Sequence, residues 1–547
     1  MSLLLAFASQ AQFNNPLAIP PALEEDTFQL VVDEHVHEFY PGVFTPTYGA
    51  SAEYLGPTLI LNEGDTARIQ VQNELAQFTS MHWHGLHLPG EFDGGPPRMV
   101  MPGETWDVKF AVKNPAATFW YHPHPHELTA EQANFGVAGM IIVRDDAEAA
   151  LDLPRTYGVD DIPLVLQDRR FLANGSFAFG PFGDSVLVNG TPRPYIELPA
   201  QVVRLRLLNG SNARVYNLGF DDGRAFPVIA GDGGLLSAPA STDRLRLSNG
   251  ERAEVLLDLS GMQGDSLMLM SFGSELPSTI PGSSYILWES SALSGIDFPV
   301  LRIRVGAPTA TPVTEVPVAL VPTSPPSIGD VSVTRNKSFS GTGMAGMGQF
   351  FINGLQFNMD VVNDSVMLGA TEIWRLENAS SIAHPFHIHG GSFYLLDRND
   401  NPVPAWEEGA KDVVLVDVAE HVRFIMKFED HTTDGWPFMY HCHNLMHEDD
   451  GMMLQYVVVD PNVAVPAPTD YDDVSVFPSP TQNILSFTAP FPVEELSVVD
   501  GLGREVIRQQ LPKVTGGSID MSSLRAGVYV LLLRGSSRST RAVVMRD

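Results

Sequence analysis

The sequence predicts an all-β protein: three sandwich domains followed by a small fourth β-domain. Three observations carry this expectation. The 547 residues include 47 Gly and 42 Pro with short Val, Leu and Ile runs between them, the texture of strands and turns rather than helical bundles. From residue 27 to 460 the recurring unit is an alternating apolar run followed by a turn, as in FQLVVDEHVHEF, TARIQVQNEL, RAEVLLDLS and VVLVDVAEHVRFIMKF. The segments GDTARIQVQNELA, AQVVRLRLLNGSNA and ATEIWRLENASSI share one layout, strand into Asn-containing turn. They recur roughly 130–170 residues apart, as related β-sandwich domains would. The expected boundaries are 24–150, 151–310 and 311–462, with only DAEAALDLP suggesting a helical turn.

Composition narrows the function. Hydrophobic residues make up 44% and charged residues 18%, which supplies apolar surface for several cores and excludes wholesale disorder. With 33 Lys and Arg against 65 Asp and Glu, the net charge of −32 repels phosphate backbones, so no nucleic-acid partner is expected. No run reaches the roughly 20 apolar residues a membrane span requires. Cys442 is the lone cysteine, so no intrachain disulfide can form.

The two ends differ from the body. Residues 3–8 are apolar and Ser9-Gln10-Ala11 fits a small-x-small cleavage site, so residues 1–11 are expected to be a signal peptide, though one without a basic leading segment. DPNVAVPAPTDYDD is a Pro-rich acidic stretch, and 463–475 is read as a linker. Beyond it, 476–547 forms its own short-strand pattern. Residues 501–547 carry eight Lys and Arg against three Asp and Glu, a reversal of the chain's overall charge. The pieces FPSPTQNIL, DGLGREV and IDMSSLRAGVYVLLLRG, with the short basic end, resemble the C-terminal sorting domain of type IX secretion cargo. That resemblance implies the type IX machinery as a partner, and export through the periplasm to the exterior or cell surface.

Chemistry concentrates in histidine. Of sixteen, eight form four His-x-His pairs: His82/His84, His122/His124, His387/His389 and His441/His443. On a strand, residues i and i+2 share a face, so each pair delivers two imidazoles to one side. One pair is weak evidence, and His35/His37 in DEHVHEF is read as ordinary surface. Four pairs together point to metal, and imidazole suits copper, zinc and iron alike. Cys442 lies between His441 and His443, so its sulfur faces opposite to both. A thiolate, two imidazoles and a weak thioether make a blue-copper electron-transfer site. His447 and Met452 follow five and ten residues later, and His384 is the natural second imidazole. Met453 leaves the axial position ambiguous by spacing alone.

HWHGLHLPGEFDGGP, FWYHPHPH, HPFHIHG and HCHNLMHEDDGMM resemble the multicopper oxidases, in the bacterial branch of laccases, bilirubin-oxidase-like enzymes and cuprous oxidases. The resemblance runs from about residue 56 to 459 and implies three cupredoxin-like Greek-key sandwiches holding four copper ions. It assigns His384, Cys442, His447 and Met452 to the type 1 copper and His82 and His387 to the type 2 copper. His84, His124 and His443 with His122, His389 and His441 would hold the type 3 pair. Asp93 and Glu448 match the family's proton-delivery acids, while His87 and His126 receive no copper. The implied reaction takes electrons from a small reducing substrate and reduces dioxygen to water. Ser380 and Ile382 precede His384 where cuprous oxidases carry acidic and Met residues, and Met344 and Met347 in a Gly-rich loop only faintly resemble a copper-binding insert. The expectation is therefore a laccase-like oxidase of phenols or related aromatic donors rather than an oxidase of Cu(I), Fe(II) or Mn(II).

Overall fold

The computed structural model describes residues 13–284, 291–344, 347–433, 435–460, 475–478, 481–500, 504–535 and 539–546. The expected signal peptide and nearly all of the expected linker lie outside these residues. The chain divides into two compact units, Met1–Met359 with Val366–Val458, and Asp360–Ser365 with Val459–Asp547. Strands dominate both units, as expected, and the α-helices are short.

In the first sandwich one sheet joins Val43–Ala50, Phe28–Tyr40, Thr66–Asn73 and Thr105–Ala111. Its strands alternate buried and open positions, most cleanly in Thr105–Ala111, because one face meets the core and the other meets water. The facing sheet contains Thr58–Asn62, Gly139–Arg144, Ala117–His122 and His82–His84. Every residue of its last three strands is buried except Arg144, so these strands are covered on both faces. The third sandwich repeats the contrast. There His384–Ile388 and Phe438–Cys442 are buried throughout, beside Met453–Val459 and Val413–Val416. His82 and His84 thus ride together on an enclosed strand, while His122, His387 and His441 lie on such strands with His124, His389 and His443 just past their ends.

Register places the pairs side by side. His82 stands opposite His122, and His387 opposite His441. Because Phe386 opposes Cys442, the alternation turns His384, Phe386 and Cys442 to one face and His387 and His441 to the other. The first face belongs to an apolar cluster with Trp374, Phe424, Met452 and Tyr456. A short helix, Leu445–Asp449, then brings His447 back beside Cys442. The Asp449 carboxylate accepts the backbone N–H groups of Thr129 and Ala130 at 3.0 and 2.8 Å, at the start of helix Thr129–Phe135.

The middle sandwich lacks histidine but holds buried charge. Arg204 and Arg206, on Val202–Asn209, meet Glu254, Asp161 and Glu148, with Arg206 reaching Asp161 through two bonds of 2.7 and 2.9 Å. The Gly-rich segment around Met344 and Met347 is a correction to its reading as a loop. Val331–Met344 and Met347–Ile352 form an antiparallel hairpin in which residues 344 and 347 pair.

In the tail unit, Ile484–Val499 pairs with Glu505–Asp520 and Gly527–Arg534, and the last pairs with Ser539–Arg546. The register breaks between Thr488 and Val493, which bends the ladder so that both halves feed one core containing Leu485, Phe487, Val493, Leu496, Ile519, Leu531 and Val544. This core is separate from those of the sandwiches. A protein ending at residue 462 is therefore expected to unfold cooperatively, with a Tm within a few degrees of the full chain and spectral changes confined to 360–365. Calorimetry checks this, and loss of the cooperative transition would make the tail part of the catalytic fold.

Candidate metal centre

Eight histidines from two domains converge in the protein interior, each at most 1% exposed. The ring nitrogens sort into groups. His84 Nδ1 lies 3.4 Å from His122 Nε2 and 3.3 Å from His443 Nε2. His441 Nε2 lies 3.3 Å from His124 Nε2 and 3.2 Å from His389 Nε2. His82 Nε2 and His387 Nε2 face each other at 3.5 Å. His122 therefore joins His84 and His443, while His124 joins His389 and His441. The six histidines expected at the type 3 pair are thus divided differently from the order in which the resemblance groups them.

The outer nitrogens decide the protonation. His82 Nδ1 donates to the Asp93 carbonyl at 2.8 Å, His387 Nδ1 to the Asp412 carbonyl at 2.8 Å, and His122 Nδ1 to the Pro123 carbonyl at 2.9 Å. His441 Nδ1 donates to the Cys442 carbonyl at 3.0 Å and His389 Nδ1 to Asp93 Oδ2 at 2.7 Å. His84 is turned the other way, with Nε2 on Asp412 Oδ1 at 3.0 Å. His124 Nδ1 lies 3.1 Å from Glu448 Oε1. Carbonyls and ionised carboxylates only accept, so each of the six hydrogen-bonded outer nitrogens, those of His82, His84, His122, His387, His389 and His441, carries its ring's proton. Each inner nitrogen is then a bare lone pair aimed at other bare lone pairs. Such atoms cannot bond one another, and an unsatisfied buried acceptor costs about 1–3 kcal/mol. Cations between them remove that conflict, so the donor set fits metal.

Burial first, and neighbouring imidazoles second, hold His84, His122, His124, His387, His389 and His443 well below the ordinary histidine value. His82 is lowered chiefly by burial as well. Neutral imidazole is the form that binds metal.

Glu448 and Asp93 both stand directly behind this cluster. Glu448 Oε2 is 3.2 Å from His441 Nδ1, so the carboxylate spans two imidazoles of one trio. Asp93 touches His389 with its side chain and His82 with its carbonyl. Burial pushes its carboxyl up to about 6 against the opposing pull of His82 and His441. The following Gly94, at φ +80°, brings the turn so close to the His82 strand that a Cβ would lie 1.9 Å from the Met81 carbonyl oxygen.

On the opposite face of the same strand, Cys442 Sγ lies 3.4 Å from His384 Nδ1 and 3.6 Å from His447 Nδ1. Ser380 Oγ sits 2.8 Å from His384 Nε2, and the ring of Phe350 lies 4.9 and 4.3 Å from the two imidazoles. Burial holds His384 well below its ordinary value, brings His447 down to about 3, and raises the Cys442 thiol. Met452 shares the apolar cluster of Cys442, and its carbonyl accepts the Cys442 N–H at 3.0 Å. Met453 instead opens the next strand opposite His441. The packing thus favours Met452 as the thioether.

Residues 34–148, 163–284 and 321–462 each match a multicopper oxidase family, and 475–546 match the secretion system C-terminal sorting domain. The multicopper oxidase Mco of Staphylococcus epidermidis is 31% identical over 83% of this chain and 94% of its own. The chain belongs to the multicopper oxidase family. Its relatives also include the cell division protein FtsP of Salmonella typhimurium, 34% identical over 82% of this chain and 94% of that protein. Among solved structures it is similar to a laccase-like multicopper oxidase, CueO of Ochrobactrum sp., described with oxidase activity towards lignin model compounds. The TM-score is 0.73 at 35% identity, covering 81% of this chain and all of that one.

Two residues beside this multicopper oxidase's cluster escaped the sequence reading. Asp412 interrupts the apolar run of Val413–Val416 at its start, and a charge there is the signal that marks it. Arg252, which grips Asp412, lies far away in the middle domain and has no comparable signal. His87 bonds Asp430 at 2.8 Å and Ser392 at 3.1 Å, and His37 bonds Glu53 at 3.0 Å.

The lowered imidazoles fix the acid response of copper-stripped protein. Between their folded values and about 6.5 the unfolded chain binds more protons, so stability must rise with pH and fall as pH drops below about 6.5. Carboxyls raised on folding act oppositely, Asp93 up to about 6 and Asp449 up to about 8, with Asp412, Asp450 and Glu251 also raised, but these are five groups against the nine named imidazoles. The Tm of the stripped protein should therefore fall steadily from pH 7 to pH 5. A Tm that is flat or rises over that range would show that these rings are not held neutral.

Proposed function

We propose that this protein is a laccase-like oxidase that takes single electrons from phenolic or related aromatic donors and reduces dioxygen to water with four coppers. In this reading His384, Cys442, His447 and Met452 hold type 1 copper, and His82 and His387 hold type 2. His84, His122 and His443 hold one type 3 copper, and His124, His389 and His441 hold the other. The observation that carries it is the convergence of bare imidazole nitrogens on one face of a strand whose other face presents Cys442. The similarity to FtsP relatives does not decide for an oxidase, and the twelve side chains named above are what supports that reading.

Bound copper would supply one-electron redox steps and, with four ions, storage for the four electrons that dioxygen takes. The remaining work falls to the chain. Cys442 joins the two sites covalently through His441 and His443. Asp93 and Glu448 each stand against a ring nitrogen beside the cluster, where they would pass protons, and the raised carboxyl of Asp93 suits a group that gives a proton near neutral pH. Phe350, itself buried, packs an apolar ring over both imidazoles beside Cys442, and the similarity to a laccase-like oxidase supports an aromatic donor. The sorting domain supports export through the type IX machinery, with residues 1–11 removed on the way.

Metal analysis should find about four coppers per chain, and fewer than two would sink the reading. Cys442→Ser should lose the blue thiolate-to-copper band and oxidase activity together. Asp93→Asn should keep copper, the blue band and anaerobic reduction by donor. Its oxygen uptake should fall about a hundredfold or more, most severely at high pH where protons are scarce. Wild-type turnover in that variant would remove Asp93 from proton delivery. Phenols, bilirubin, Cu(I), Fe(II) and Mn(II) compared under one set of conditions decide the donor, and a preference for the metal ions would overturn the aromatic assignment.

A further inference from the structure

The middle domain supplies none of the twelve proposed ligands, yet its turn at 248–252 reaches the cluster at three points. Asn249 Nδ2 donates to the carbonyl of His443. Gly250, at φ +87°, lies flat against the His443 ring, where a Cβ would stand 2.9–3.0 Å from Cδ2, Cγ and Nε2. Arg252 grips both oxygens of Asp412 at 2.6 Å each. Its other donors are also committed, Nε to the Thr118 carbonyl at 3.0 Å, Nη1 to Gly250 at 3.1 Å and Nη2 to Asp232 at 2.8 Å. All five guanidinium N–H groups therefore have acceptors, drawn from all three sandwiches, and the side chain has one position it can hold.

Asp412 transmits that position to two ligands. Its Oδ1 takes the proton of His84 Nε2 at 3.0 Å, which leaves Nδ1 bare and aimed at His122 and His443. Its backbone carbonyl takes the proton of His387 Nδ1 at 2.8 Å, which leaves Nε2 bare and aimed at His82. The neighbouring Lys411 is tied to the same region, with Nζ 3.1 Å from Glu251 and 2.9 Å from Asp232. A carboxylate behind a ligating imidazole fixes ring orientation and tautomer, and losing one typically costs about 10–100-fold in metal affinity or activity.

We propose that the middle-domain turn 248–252 is the positioning element of the oxygen-reducing cluster, with Arg252 acting through Asp412 on His84 and His387, and Asn249 and Gly250 acting directly on His443. Arg252 is a positioning residue and touches no reacting atom. The inference rests on the copper assignment above. It also separates the two metal sites, because the contacts of this turn fall on His84, His387 and His443, and none is to His384, Cys442 or His447.

The test uses the full-length, copper-loaded protein and two variants beside wild type. Arg252→Lys keeps the charge but cannot serve five acceptors, and Asn249→Ala removes the amide that bonds the His443 and Asn212 carbonyls and leaves the buried charges alone. In Arg252→Lys the blue band and the KM for donor should match wild type, while kcat falls about tenfold or more. The type 2 electron paramagnetic resonance signal should shift, and a chelator should strip copper from the cluster sooner than from the blue site. Asn249→Ala should shift the near-ultraviolet band of the type 3 pair and lower kcat by a smaller factor. A merely structural role would weaken the blue site and the cluster alike and would leave the type 2 signal of the remaining folded protein unchanged. Wild-type spectra, copper retention and kcat in both variants, or equal damage to both sites, overturn the inference. If Arg252→Lys does not fold, Asn249→Ala decides alone. A wild-type protein that binds no copper overturns the copper assignment and this inference together, which is a different result from unaltered variants of a blue wild type.

Discussion

A β-strand sends successive side chains to opposite faces, and at residues 441–443 that alternation sorts three metal-binding groups into two sites. His441 and His443 turn toward imidazoles of the first domain, and Cys442 turns into the apolar core of its own. Everything else at the centre accommodates this division. The partner strand must repeat it, so His384 and His387 also fall on opposite faces. Helix Leu445–Asp449 must reverse the chain to return His447 to the sulfur's side. Two sites of unlike character are therefore neighbours without being mixed, with a soft, apolar pocket around sulfur and a nitrogen-rich pocket behind it.

The nitrogen-rich pocket is held open against its own energetics. Six imidazoles have their protons drawn outward by carbonyls and carboxylates, so their lone pairs face inward with nothing to bond. At about 1–3 kcal/mol each, the summed cost is comparable with the ~5–15 kcal/mol by which a domain is stable. Rotating a ring would relieve the conflict, and the outer acceptors are what prevent rotation. Asp93 and Asp412 each brace two ligands, one through the side chain and one through the backbone carbonyl. Glu448 spans two more. Three acids thus stand behind six of the eight histidines, and the same contacts that orient the rings put proton-holding groups beside them.

How much of this could be read beforehand follows from the range of the interactions. Ligand pairs were legible because a strand's two-residue period is local, and the sorting of Cys442 from its neighbours followed from the same period. Asp93 and Glu448 came from the family resemblance, and their carboxylates stand against His389, His124 and His441. The division of six of the clustered histidines into two trios was not, since it depends on how two sheets from different domains face each other. Asp412 and Arg252 are farther still, 328 residues separating Asp412 from His84 and 160 separating Arg252 from Asp412. The full burial of the histidine strands likewise reflects cover from other elements, which no periodicity within a strand records.

The middle domain illustrates the last step. A scaffold could be built from any well-packed sandwich, yet this one buries Arg252 where a long, fully solvated side chain would be easier to keep at the surface. Burying a guanidinium is costly unless every donor is met and a carboxylate opposes it, and both conditions hold only when all three sandwiches are docked. Thr118 comes from the first, Gly250 and Asp232 from the second, and Asp412 from the third. The charge therefore penalises any arrangement in which the domains are misplaced. That penalty falls at the residue that braces His84, so correct docking and a correctly aimed ligand are one event.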